Sequence, residues 1–219
     1  MEALSIGRYC VYYPLNWITH AIPALISLWV VLFYIPAWEE KKRKLFFVYA
    51  WSIFGVFFSS ALYHGLYGHY SSDTFNQAIK IFDHCCIFVH IAVTVAIVIL
   101  SAFPNQKIYT VGAALICVFG VLYKIGCPHR YHPDSICLYY GLAGYAFLFS
   151  RSILKNLSWD AIAFIIIGGG WYMLGALWFY KYDSHRWYYH ALWHICVNFG
   201  MFCHYWGLRW HVFPQLKVA

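Results

Sequence analysis

The chain has 219 residues, 63% of them hydrophobic, 22% aromatic and only 11% charged, where an ordinary soluble domain is about 45–50% apolar and about 25% charged. With a mean hydropathy of +0.59, this composition excludes both a disordered chain, which must stay solvated, and a water-soluble globule. A formal charge of +7 would suggest nucleic acid as a partner of a soluble protein, but the one basic run, Lys41-Lys42-Arg43-Lys44, is wedged between two apolar segments. It reads as a juxtamembrane cluster on anionic lipid heads, with no nucleic-acid role.

A bilayer span needs about 20 apolar residues, so seven spans use about 140 and leave roughly 79 for eight loops and termini. The reading is an all-α integral membrane protein, one seven-transmembrane-helix bundle over residues 1–219. Met1 to Tyr13 lacks the pattern of a cleaved signal peptide, so the first apolar segment is expected to be retained. In chain order the spans are 15–37, 45–67, 81–103, 108–125, 134–151, 159–180 and 189–210. Between them lie the charge run Glu39 to Lys44, the polar stretch Gly68 to Asn76, and the turn Pro104-Asn105-Gln106-Lys107. Gly126 to Pro133, Arg151 to Asn156 and Lys181 to Arg186 complete the links. Only helices satisfy the backbone of such segments within hydrocarbon.

Nine Lys and Arg fall on the side of loops 38–44, 104–107, 151–158 and the C-terminus, against six on the other. By the positive-inside rule the N-terminus is expected outside or lumenal and the C-terminus cytosolic. The eight cysteines form no CxxC. Cys85, Cys86, Cys117, Cys196 and Cys203 act as small hydrophobes within spans, while Cys10, Cys127 and Cys137 remain available for pairing in an oxidising lumen. Gly168-Gly169-Gly170 reads as a close helix-packing site.

Ionisable groups at membrane depth are costly and usually face the bundle interior. Ser60 and His64 stand four apart near the end of the second span, Asp83 opens the third, and His190 and His194 stand four apart at the start of the seventh. Residues four apart share a helix face, so His190 and His194 can aim at one point. With seven alternating spans, all five residues fall on one membrane side. Three histidines with a fourth position open is the pattern of a catalytic zinc. Each residue also has an ordinary reading: His64 as an interfacial side chain, Asp83 as a helix cap, Ser60 bonded within its own helix. Their coincidence at one end of the bundle favours the metal. His84 and His90 are placed behind the site, His90 on the Asp83 face, with a buried hydrogen-bonded histidine as its alternative. His204 is expected to bond another helix, and His69, His129, His132, His185 and His211 to lie at the interface.

Ser60-Ala-Leu-Tyr-His64, Phe82-Asp83-His84 and His190-Ala-Leu-Trp-His194 resemble, in the same order, the motifs of the hemolysin III family. That family stands with the progestin and adipoQ receptors and, more distantly, the alkaline ceramidases. The resemblance implies a seven-helix bundle with intramembrane zinc on His64, His190 and His194. It also implies that Ser60 and Asp83 line the site, Asp83 acting through a water at the metal. The third-helix motif departs from the family pattern, since Ala92-Val93-Thr94-Val95-Ala96-Ile97 keeps only the Ala and one Thr. The acidic N-terminal extension and calcium site of alkaline ceramidases are not expected. The leading functional reading is a zinc-dependent hydrolase of lipid amides, with ceramide-like substrates taken from the bilayer. Asp83 then moves the proton and Ser60 bonds the oxyanion. The alternatives are a membrane receptor or signalling protein with structural zinc, and a hemolysin III-like pore former.

Overall fold

Helices begin where capping and charge allow, often well outside the apolar runs. The structure is a computed structural model describing residues 14–34, 36–66, 72–104, 106–127, 132–181 and 188–216. The reading of Met1 to Tyr13, with Cys10, and the interfacial placement of His69, His129 and His185 lie outside these residues, as does the side chain of His132. The described residues form helices and no strand: α1 (Pro14–Phe33), α2 (Glu40–Leu66), α3 (Asp73–Ala102), α4 (Ile108–Gly126), α5 (His132–Gly144), α6 (Ser150–Asn156), α7 (Trp159–Tyr180) and α8 (Tyr188–Gly207). Five of them, α1, α2, α3, α4 and α7, are long and apolar enough to cross a bilayer. With α8 and the unit α5–α6 they make seven helical rods, the number expected.

The boundaries differ from the apolar runs for physical reasons. The charge run before the second span is the first turn of α2, where Lys44 Nζ meets Glu40 Oε1 at 2.7 Å across one turn. That neighbour holds the Glu40 carboxyl below its usual range. Helix α3 starts eight residues before the expected 81, because the Ser72 side chain accepts from the Phe75 N–H at 3.3 Å and caps it. Span 134–151 is not one helix: α5 gives way at Gly144 to a 3₁₀ stretch, Tyr145–Phe149, before α6. The expected polar link at 151–156 is therefore helical. Helix α8 ends at Gly207 and continues as a π-helical turn, Leu208–Val212.

Helix α3 packs on α2, α4, α5 and α6, while α8 packs on α7 and α1, and α1 on α2. A Cβ on Gly168 would collide with the His204 ring and the Gly200 carbonyl of α8, whereas one on Gly169 or Gly170 would meet open space. Only the first glycine of the triplet serves close packing. Where α1, α2 and α8 converge at the opposite end from the histidines, Phe46, Trp38 and Phe213 interlock with centroids 5.4–5.6 Å apart. The Arg209 guanidinium lies 4.3 Å over Trp38 and 4.4 Å over Trp210 and donates to the Tyr34 hydroxyl. The aromatic surplus thus partly serves to cage one buried cation. Cys127 and Cys137 are free thiols.

Candidate metal centre

Three imidazoles meet at one end of the bundle. His64 belongs to the last turn of α2, and His190 and His194 to the first two turns of α8. One ligand-capable nitrogen from each lies within 4.8 Å of the others, and the Nε2 atoms of His64 and His190 are 3.5 Å apart. Nitrogens about 2.0–2.1 Å from a tetrahedral zinc stand about 3.3 Å from one another, so small ring rotations bring the set onto one ion. His194 is buried, while His64 and His190 are partly so.

Helix α1 orients His194. Thr19 Oγ1 donates to the Leu15 carbonyl at 2.7 Å and lies 3.2 Å from His194 Nδ1. The Thr19 hydroxyl also reaches the Asn16 carbonyl at 3.1 Å, itself a backbone partner of His194, so α1 offers acceptors to an Nδ1–H in the tautomer that leaves His194 Nε2 free for a metal. Fixing the tautomer through the distal nitrogen is the usual support for a metal-binding histidine. The Thr19 carbonyl accepts from Asn198 Nδ2 at 2.8 Å, one turn further along α8.

His20 joins the group from the same helix. It is 3% exposed, its ring centroid 4.1 Å from that of His194 and 6.2 Å from that of His64. Its Nδ1 is buried with no hydrogen-bond partner among the described residues. Neither Thr19 nor His20 belongs to a motif in the sequence. The signal was present, since the start of a first span shares a membrane side with the end of the second.

Asp83 sits in the third turn of α3, buried, and Ser72 occupies the cap, so the capping role for Asp83 is set aside. Ser59 Oγ donates to Asp83 Oδ1 at 3.3 Å, and Ser60 is the second hydroxyl partner of the carboxylate. Ser59 belongs to no motif either. The two serines together hold the carboxylate in place. Ser60 is one turn, about 6 Å along the axis, from His64. Asp83 lies outside the set of groups whose ligand atoms converge.

His84 lies within electrostatic range of His64, and its carbonyl accepts from the Tyr139 hydroxyl at 3.1 Å. His90 does not back the metal ligands. It is two turns deeper than Asp83 on α3, where its Nδ1 lies 3.0 Å from Ser52 Oγ and its ring stacks on Tyr49 at 5.7 Å. It is the buried, hydrogen-bonded histidine of the alternative reading. His204 Nε2 bonds the Ile165 carbonyl of α7 at 3.1 Å, as expected of a link between helices. His211 is placed 3.8 Å from Asp160 Oδ2.

A family model described as haemolysin-III related matches residues 11–205, a stretch that includes every residue of the cluster. The chain belongs to the haemolysin-III related family, and its five apolar helices together with that membership make it a multi-pass membrane protein.

Proposed function

We propose that this haemolysin-III related chain is a zinc-dependent intramembrane hydrolase of lipid amides, ceramide-like in type, that takes its substrate from the bilayer. The observation that carries the reading is the three-imidazole cluster, with a buried carboxylate bonded by Ser59 and Ser60, the second of them one turn from His64 on α2. His64, His190 and His194 would hold the ion, and nitrogen donors in this number suit zinc with one position left for reactants. When bound, zinc supplies Lewis acidity, polarising a carbonyl and activating water at neutral pH. The chain's own residues do the rest. Thr19 holds His194 in the ligating tautomer. Asp83, kept in place by Ser59 and Ser60, takes the proton of the attacking water and returns it to the departing amine.

The test pairs two readouts on one preparation. Asp83→Asn keeps the side-chain volume but loses the base. Zinc content and folding should survive, while cleavage of lipid amides falls by about 10²–10⁴-fold, the scale for removing a positioned base. Parallel loss of zinc and thermal stability, with no amide cleavage by the wild type, would abandon the hydrolase.

One observation favours a second reading, a receptor with structural zinc. His20 adds a fourth imidazole, buried and in ring contact with His194, and four protein ligands close a structural site. His20→Ala separates the two. The hydrolase reading expects zinc stoichiometry to be unchanged, and the receptor reading expects it to fall with stability.

A further inference from the structure

Arg209, in the π-helical turn Leu208–Val212, is a full positive charge that is only 9% exposed. Three aromatic rings surround its guanidinium, Trp38 at 4.3 Å, Trp210 at 4.4 Å and Tyr34 at 5.1 Å. Ring faces attract the charge, but the five N–H groups of a guanidinium point outward in its own plane and need acceptors there. One of them, on Nη2, donates to the Tyr34 hydroxyl. Nε is buried with no hydrogen-bond partner, and no carboxylate pairs with the guanidinium among the described residues. A buried charge without a counter-charge and with an unmet donor is costly. An oxyanion in the guanidinium plane satisfies both needs.

The surroundings indicate where that anion comes from. Lys41, Lys42, Arg43 and Lys44 outnumber Glu39 and Glu40 at the start of α2, so this corner of the molecule is net positive. Lys42 reaches the same C-terminal segment, its Nζ donating to the Pro214 carbonyl at 3.2 Å. The preceding residue, Phe213, stacks on Trp38 with centroids 5.4 Å apart. Leu208, Val212 and Phe213 are fully buried, which fixes the turn and with it the cation. Trp210 is 50% exposed on the outer surface, and tryptophans placed in this way mark the level of the lipid headgroups.

We propose that Arg209 is the centre of a phosphate-binding site at this end of the bundle, and that its occupant is the headgroup phosphate of an anionic phospholipid. The basic run gathers such lipids diffusely, whereas Arg209 holds one through donors fixed in place by the aromatic rings. The site stands at the opposite end of the bundle from the histidines and is independent of the hydrolase reading.

The experiment titrates the full chain in neutral detergent with dioctanoyl phosphatidylglycerol, dioctanoyl phosphatidylcholine and inorganic phosphate, and reads binding by calorimetry. Phosphatidylglycerol should bind saturably and more tightly than the other two. Its affinity should largely survive about 0.5 M salt, since buried pairs are screened much less than exposed ones. Arg209→Lys keeps the charge but loses the planar fork, and should weaken binding by about 10–100-fold. Lys41→Gln, on the exposed part of the basic run, should weaken it by about fivefold or less. Tyr34→Phe releases a donor and should leave the affinity unchanged or tighter, which tests the site even where the lysine variant is unstable. Inorganic phosphate that binds as tightly as the lipid would assign the site to a soluble anion and overturn the lipid. Absence of saturable binding, or loss of it in high salt, overturns the site. So do equal effects of Arg209→Lys and Lys41→Gln, or loss of binding in Tyr34→Phe.

Discussion

His194 is the residue on which the site is built most visibly, because both of its neighbours across the α1–α8 contact act on it. The Thr19 hydroxyl meets its Nδ1 and His20 packs on its ring. Thr19→Val keeps the shape and removes the hydroxyl, so metal affinity should fall by about 10–100-fold, the usual effect of losing such an outer partner. Titration of the metal-free protein with zinc measures it, and an unchanged affinity would separate Thr19 from the site. The three clustered histidines were legible in the sequence because spacing by four on one helix, and alternation of spans, are geometric facts. Thr19 and His20 were marked only by membrane side, since the first span begins where the second ends, and Ser59 only by its place beside Ser60; their contacts in the site are tertiary.

At the scale of the helix, apolar length located the rods and misplaced several ends. Asp73 to Lys80 is polar and was read as loop, yet the Ser72 cap and the turns behind it carry α3 outward by eight residues. The break at Gly144 was hidden for the opposite reason, since a 3₁₀ stretch is as apolar as the helix it interrupts. The glycine triplet of α7 offers a sharp contrast between neighbours. Gly168→Ala should destabilise by about 1–3 kcal/mol, the scale of an overpacked contact. The His204 ring it meets is pinned to the Ile165 carbonyl, and the Gly200 carbonyl lies behind. Gly169→Ala and Gly170→Ala should be neutral or stabilise by up to about 1 kcal/mol through helix propensity. Thermal unfolding of the three variants in one detergent checks the order, and a uniform response would refute the packing role.

Across the whole molecule, the two ends of the bundle are built differently. One gathers imidazoles and a supported carboxylate; the other is sealed by Phe46, Trp38 and Phe213 around the caged Arg209. Composition foretold the bundle, and motif order foretold which end carries polar groups. The cage depends on how α1, α2 and α8 converge, which no local sequence pattern encodes. The most direct test of the central claim is the zinc content of purified protein, wild type beside His64→Ala, His190→Ala and His194→Ala. The account expects about one zinc per chain in the wild type and loss of most of it in every variant, since two imidazoles make a weak site. Equal zinc in wild type and variants would contradict it.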